Sequence, residues 1–249
     1  MTLIATERIK LFTTRSPWWS MLLALVLSVG FASLIAANVG TDNNISISEA
    51  EGGYQFSLVV MMVMAALAVT TEYRFGTIRV SFQAVPNRVA LLLSKTAVVA
   101  VLAAIVGEVT AFASWAVARL IHPSTTLALS NEAAWRGVAG MGLVYAITAV
   151  IAVGVGILIR QTAGAVAILL IYSLLVENLV VLIPKIGQTI QKWMPFTEAN
   201  NFLVAGTPNV ARRGLEGMPL SAWGSLAYFA GIAAVIMIIA LFTANRRDA

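Results

Sequence analysis

Six long apolar stretches, at 18–39, 54–71, 91–118, 138–159, 162–183 and 222–243, dominate the chain and set the solvent it must fold in. A hydrocarbon core about 30 Å thick is crossed by roughly 20 residues of helix, the element that satisfies its own backbone there. The chain is 59% hydrophobic and only 11% charged, with a mean hydropathy of +0.89. No water-soluble domain of 249 residues has that balance. The expected fold is therefore all-α, a single six-helix membrane domain without internal repeat or soluble appendage.

The distribution of Lys and Arg predicts orientation. With the N-terminus in the cytoplasm, Arg8, Lys10, Arg15, Arg74, Arg79, Arg88, Lys95, Arg160, Arg246 and Arg247 lie inside, ten of the sixteen basic residues. Arg119, Arg136, Lys185, Lys192, Arg212 and Arg213 lie outside, and the first outer loop, 40–53, has only the acids Asp42, Glu49 and Glu51. Both termini are then cytoplasmic. The net charge of +5 is a matter of topology and not a sign of nucleic-acid binding. Cysteine is absent, which excludes disulfides and thiol-ligated metal and leaves the redox compartment open.

The first apolar run is longer than a signal-peptide core of about 7–15 residues and has no convincing cleavage site. Ser16-Pro17 is read as an N-cap followed by Pro at N1, with Trp18 and Trp19 at the interface. Upstream, Ala5, Ile9 and Phe12 share one helical face, as in a short helix lying on the membrane surface.

The connection between spans two and three carries more than a linker needs. Phe75, Ile78, Phe82 and Val85 are spaced three, four and three apart and form one apolar stripe, with Arg74, Thr77, Arg79 and Ser81 off it. Pro86 ends that helix. Periodicity alone leaves two readings, a helix resting on lipid or one docking a cytoplasmic partner.

These residues resemble the type-2 ABC transporter permeases, six-span subunits of bacterial exporters. The likeness covers essentially the whole chain: a basic amphipathic N-terminus, Glu72-x-x-x-Gly76-Thr77 at the end of span two, a Pro86-x-Arg88 turn, Lys95 early in span three, and a long outer segment before span six. The resemblance implies that the loop containing Glu72, Arg74, Phe75, Gly76, Thr77, Ile78, Phe82, Val85, Pro86 and Arg88 forms a coupling helix seated in an ATP-binding subunit. It further implies two copies of that subunit, which hold ATP and magnesium, a second permease, identical or homologous, and a bacterial inner-membrane location. No cofactor belongs to this chain itself. The segment 183–221, with Trp193-Met194-Pro195-Phe196, resembles the outer re-entrant helices such exporters carry between spans five and six.

Glu108, Glu177 and Asn178 fall within spans, where polar groups are costly. Glu108, beside Ala103, Gly107 and Ala111, is read as an interhelical hydrogen bond at a close contact. Glu177 and Asn178, near the outer end of span five, are candidates for the pathway or gate together with Trp193 and Phe196. The sequence has no phosphate-binding loop, and its one histidine, His122, lies just after span three, away from any partner for catalysis. The chain is therefore expected not to be an enzyme but an exporter permease for a hydrophobic or amphipathic substrate such as a drug, lipid or peptide. The alternatives are a secondary transporter and a non-transporting sensor or scaffold.

Overall fold

Helix is the only regular structure among the described residues, which are 3–39, 45–85, 87–123, 125–207, 215 and 217–246 of this computed structural model. In chain order they form α1 (Leu3–Thr13), α2 (Arg15–Asn38), α3 (Ile47–Ala50), α4 (Tyr54–Arg74), α5 (Thr77–Ala84), α6 (Arg88–Ile121), α7 (Glu132–Ala139) and α8 (Met141–Ile159). A fifth apolar run follows as α9 (Thr162–Leu170), a π-helical turn (Ile171–Val176), α10 (Glu177–Leu179) and a 3-10 turn (Val180–Leu182). The chain closes with α11 (Gly187–Gln191), α12 (Pro195–Val204) and α13 (Ala222–Arg246). Six of these elements, α2, α4, α6, α8, the run Thr162–Leu182 and α13, are long and apolar enough to cross a membrane.

The bundle is organised around α8, which packs against α4, α6 and α13. Three glycines make that possible, each on a different side. A Cβ at Gly142 would strike Glu108 and Ala104 of α6, one at Gly156 would strike Val69 of α4, and one at Gly154 would strike Ile236 of α13. Gly107 of α6 makes the reciprocal contact with Tyr145. Backbones approach closely where side chains are small, which supplies dispersion contacts that lipid would otherwise provide. Spans two, three and four are accordingly half or more buried, whereas spans one, five and six form the periphery.

Several boundaries differ from those expected. The first span starts at Arg15 with extended Thr14 as its N-cap, so Ser16 and Pro17 sit inside its first turn. Pro is tolerated there because the leading N–H groups of a helix have no intrahelical acceptor. Span three begins at Arg88, with Asn87 accepting the Ala90 N–H at 3.0 Å as its cap, and spans two and six run on to Arg74 and Arg246. The fourth apolar stretch breaks at Gly140 into α7 and α8. Of the two helices between spans five and six, α12 is largely buried, whereas Ile186, Ile190 and Trp193 around α11 are exposed.

Candidate functional site

Gly76 shapes one end of the bundle. At φ +70° it lies in the left-handed region, which a side chain rarely adopts, and it turns the chain from α4 into α5. Thr77 donates its hydroxyl back to the Glu72 carbonyl at 3.4 Å. These two residues account physically for a Gly-Thr pair at this point in the sequence.

The apolar stripe of α5 divides once it is folded. Ile78 is 2% exposed and anchors the helix in the core, and Phe82 packs against that core with the Arg88 guanidinium 5.1 Å from its ring centre. Val85 is half-buried as the helix C-cap. Phe75, at 70%, remains exposed, and so does Val80, at 65%, which the stripe did not include. The free face of α5 is thus Arg79, Val80, Gln83 and Ala84, flanked by Phe75 and Arg74. Arg88 also reaches the Ala244 carbonyl near the end of α13, at 3.5 Å. Pro86 lies outside the described residues.

Behind α5 four charged groups from three elements converge. Lys95 of α6 bonds Glu7 of α1 at 2.5 Å and Glu72 of α4 at 2.7 Å. Lys10 bonds Glu7 at 2.8 Å, lies 3.7 Å from Glu72, and reaches the Ser81 hydroxyl of α5 at 3.3 Å. Glu7 and Lys95 are buried, so each depends on the other for compensation of lost hydration. Burial alone would raise the Glu7 carboxyl, but the Lys95 charge and the bonds from Lys10 and Lys95 outweigh it and hold Glu7 below the usual carboxylate range. Burial likewise disfavours charged Lys10, yet Glu7 and Glu72 push its ammonium above the usual lysine value. Of the tetrad, only Glu72 and Lys95 stood out in the family pattern. Glu7 and Lys10 are one helical turn apart, but their link to α4 and α6 is tertiary.

At the opposite end α12 is clamped at both ends of its dipole. Glu177 accepts the backbone N–H of Phe196 at 2.9 Å and of Thr197 at 2.8 Å, plus the Thr197 hydroxyl at 3.1 Å. Arg136 of α7 donates to the carbonyls of Phe202, at 2.6 Å, and Ala205. A carboxylate at the N-terminus and a guanidinium at the C-terminus both oppose the macrodipole. Both Glu177 oxygens are thus committed to α12. Asn178 is exposed and donates its side-chain N–H to the Leu174 carbonyl at 2.9 Å. Phe196 packs edge-on against Phe229, while Trp193 meets Tyr228 and remains partly exposed. Gln55, Ser173, Asn178 and Asn200 line a small polar cavity of about 120 Å³ beside Glu177.

Glu108 lies against Gly142 at the start of α8, its carboxylate within 2.4 Å of where a Gly142 Cβ would stand. Glu51, between α3 and α4, is 2% exposed with neither carboxylate oxygen hydrogen-bonded, and burial drives its carboxyl well above the usual range. Nothing in its sequence context marked it as buried. Among the described residues no cluster of three or more His, Cys, Asp or Glu could hold a metal ion.

A family model described as "ABC-2 family transporter protein" matches residues 3–176, which include α1, α5, the tetrad and the first four spans. No curated protein matches the chain.

Proposed function

The chain belongs to the ABC-2 transporter family, and from that premise we propose that it is the membrane-spanning permease of an ATP-driven exporter, powered by a separate ATP-binding subunit. It is a multi-pass membrane protein with six apolar helices. The observation that carries the coupling role is the placement of α5. Ile78 anchors it, Gly76 turns it outward, and it exposes Val80 beside Phe75, the C-cap of α4, at one end of the bundle. The Lys10–Ser81 bond and the tetrad behind it connect that helix to α1, α4 and α6. A push on α5 is thus delivered to three elements.

On this reading Arg74, Phe75, Arg79, Val80 and Gln83 meet the ATP-binding subunit, with Gly76, Thr77, Ile78, Phe82, Val85 and Arg88 positioning them. Pro86 belongs to the same connection. ATP and magnesium reside in that partner, two copies of which serve two permeases. The exposed sides of spans one and five, including Ile168 and Leu175, are available for pairing about a twofold axis. The α5 end is cytoplasmic, in keeping with the excess of Lys and Arg there, and the membrane is the bacterial inner membrane. Glu177 serves the opposite gate as a positioning residue for α12, while Asn178, Trp193 and Phe196 border it.

The test is co-reconstitution with the ATP-binding subunit that purifies with the tagged chain. ATP hydrolysis should depend on the chain and on Val80, falling on Val80→Asp. Hydrolysis indifferent to both would overturn the coupling role.

A further inference from the structure

The tetrad also forms the polar end of a cavity of about 370 Å³ bounded by α1, α4, α5 and α6. A second cavity, about 300 Å³, adjoins it and shares Leu11, Thr14, Ala68, Thr71, Glu72 and Thr77 with it. Its remaining wall is mostly apolar, made by Pro17, Met64, Leu67 and Phe75. Each volume falls in the range of about 300–1,000 Å³ typical of small-molecule sites. Together they offer an apolar slot that ends in charge.

The hydrogen bonding within is unbalanced. Lys95 donates to both Glu7 and Glu72. Thr13, Thr14 and Thr71 each donate their hydroxyl proton to a backbone carbonyl. The Glu72 Oε2 atom, by contrast, is buried without a hydrogen-bond partner, on a residue that lines both cavities. A buried carboxylate oxygen left without a donor is the feature a ligand would satisfy. Lys10 is the cation nearest to release. Its side chain is 40% exposed, and its 3.7 Å approach to Glu72 is the longest ion pair of the tetrad.

We infer that these joined cavities bind an amphipathic primary amine, its apolar body along Leu11, Pro17, Met64, Leu67 and Ala68 and its ammonium donating to Glu72. The ammonium donates to the open Oε2 atom, and Lys10, 3.7 Å from Oε1, competes with it for the same carboxylate as a like charge. A substrate role for this ligand rests on the exporter reading. Binding itself does not, because it needs only the folded chain.

The test is fluorescence titration of the purified full chain, in phosphatidylcholine nanodiscs, with dansylcadaverine, a primary amine on an aromatic body. Saturable binding is expected, weakened about tenfold or more by Glu72→Gln, since a hydrogen bond between charged groups is lost. Lys10→Gln should tighten binding several-fold by removing the competing ammonium, a change that simple partition into lipid would not show. Ala68→Phe, which fills the slot and leaves all four charges in place, should abolish binding. The N-acetylated probe should bind more weakly than the amine. Equal binding of amine and acetylated probe, weaker binding to Lys10→Gln, or unaltered binding to Ala68→Phe would each overturn the site. Should Glu72→Gln fail to fold, Lys10→Gln and Ala68→Phe decide. Loss of coupling to an ATP-binding subunit would leave these titrations unchanged, so the two proposals fail separately.

Discussion

Lys95, within the third span, bonds Glu7 of the N-terminal helix at 2.5 Å across 88 residues of sequence. The pair fastens an amphipathic surface helix to the bundle by charge in a place where both partners are buried. Removing one member of such a pair is costly, because it leaves the other charged and poorly solvated.

Lys95→Met should therefore destabilise the chain by about 3–5 kcal/mol, the range for breaking a buried pair. Adding Glu7→Gln to it should recover part of the loss. Thermal unfolding in detergent measures both, and an unchanged midpoint for Lys95→Met would show that the pair does not hold α1.

Attachment of α1 should also depend on pH in a defined direction. The Glu7 carboxyl is held below its ordinary value of 4.5, so its contribution is complete above that pH and is lost as pH falls through the lower folded value. The Lys10 ammonium is held above 10.5, so its contribution is complete below that pH and is lost as pH rises through the higher folded value. A spin label on Ile4→Cys, in a chain without native cysteine, should be immobile across neutrality and mobile at the acid extreme. The acid transition should vanish in Glu7→Gln.

The two apolar residues that bracket Arg79 should behave oppositely. Ile78→Ala removes a buried anchor and should cost about 2–5 kcal/mol of stability. Val80→Ala, on the exposed face, should stay within about 0.5 kcal/mol in the isolated chain. Similar losses at both positions, read from unfolding curves, would mean that α5 does not present Val80 outward.

That contrast shows how far the sequence is legible. The six apolar runs exceed any soluble helix pattern, so the spans and the length of the fifth connection could be read directly. The small residues around Glu108 marked its contact with α8 because close packing leaves a local signature. The orientation of α5 was harder. A helix of eight residues offers too few turns to separate a docking face from an anchoring face, and Ile78 and Val80 are equally apolar in sequence. Glu7 reads as part of a basic surface helix until Lys95 is seen beside it. The Glu177 carboxylate looks like a lone intramembrane charge, because the N–H groups it accepts belong to Phe196 and Thr197, 19 and 20 residues away. Gly140 lies inside an apolar run, and only in the fold does it face Phe202 so closely that a side chain there would not fit.

The clamp on α12 should be separable from its packing. Glu177→Ala and Arg136→Ala each remove an oppositely charged helix terminus contact, worth about 1–2 kcal/mol in a partly buried setting. A cysteine at Ala199, a buried position on α12, should become more reactive toward a small thiol reagent in both variants. Reactivity unchanged from the parent would remove Glu177 and Arg136 as positioning residues.

The coupling role requires contact between α5 and an ATP-binding subunit, and site-specific crosslinking reads that contact. Val80→Cys would be the only thiol in the chain, and in native membranes a short thiol-reactive crosslinker attached there should capture an ATP-binding subunit. The same crosslinker at Ser130→Cys, beyond the far end of α6, should capture none. Equal capture from both positions, or none from Val80→Cys with the assembled transporter present, would rule out docking through α5.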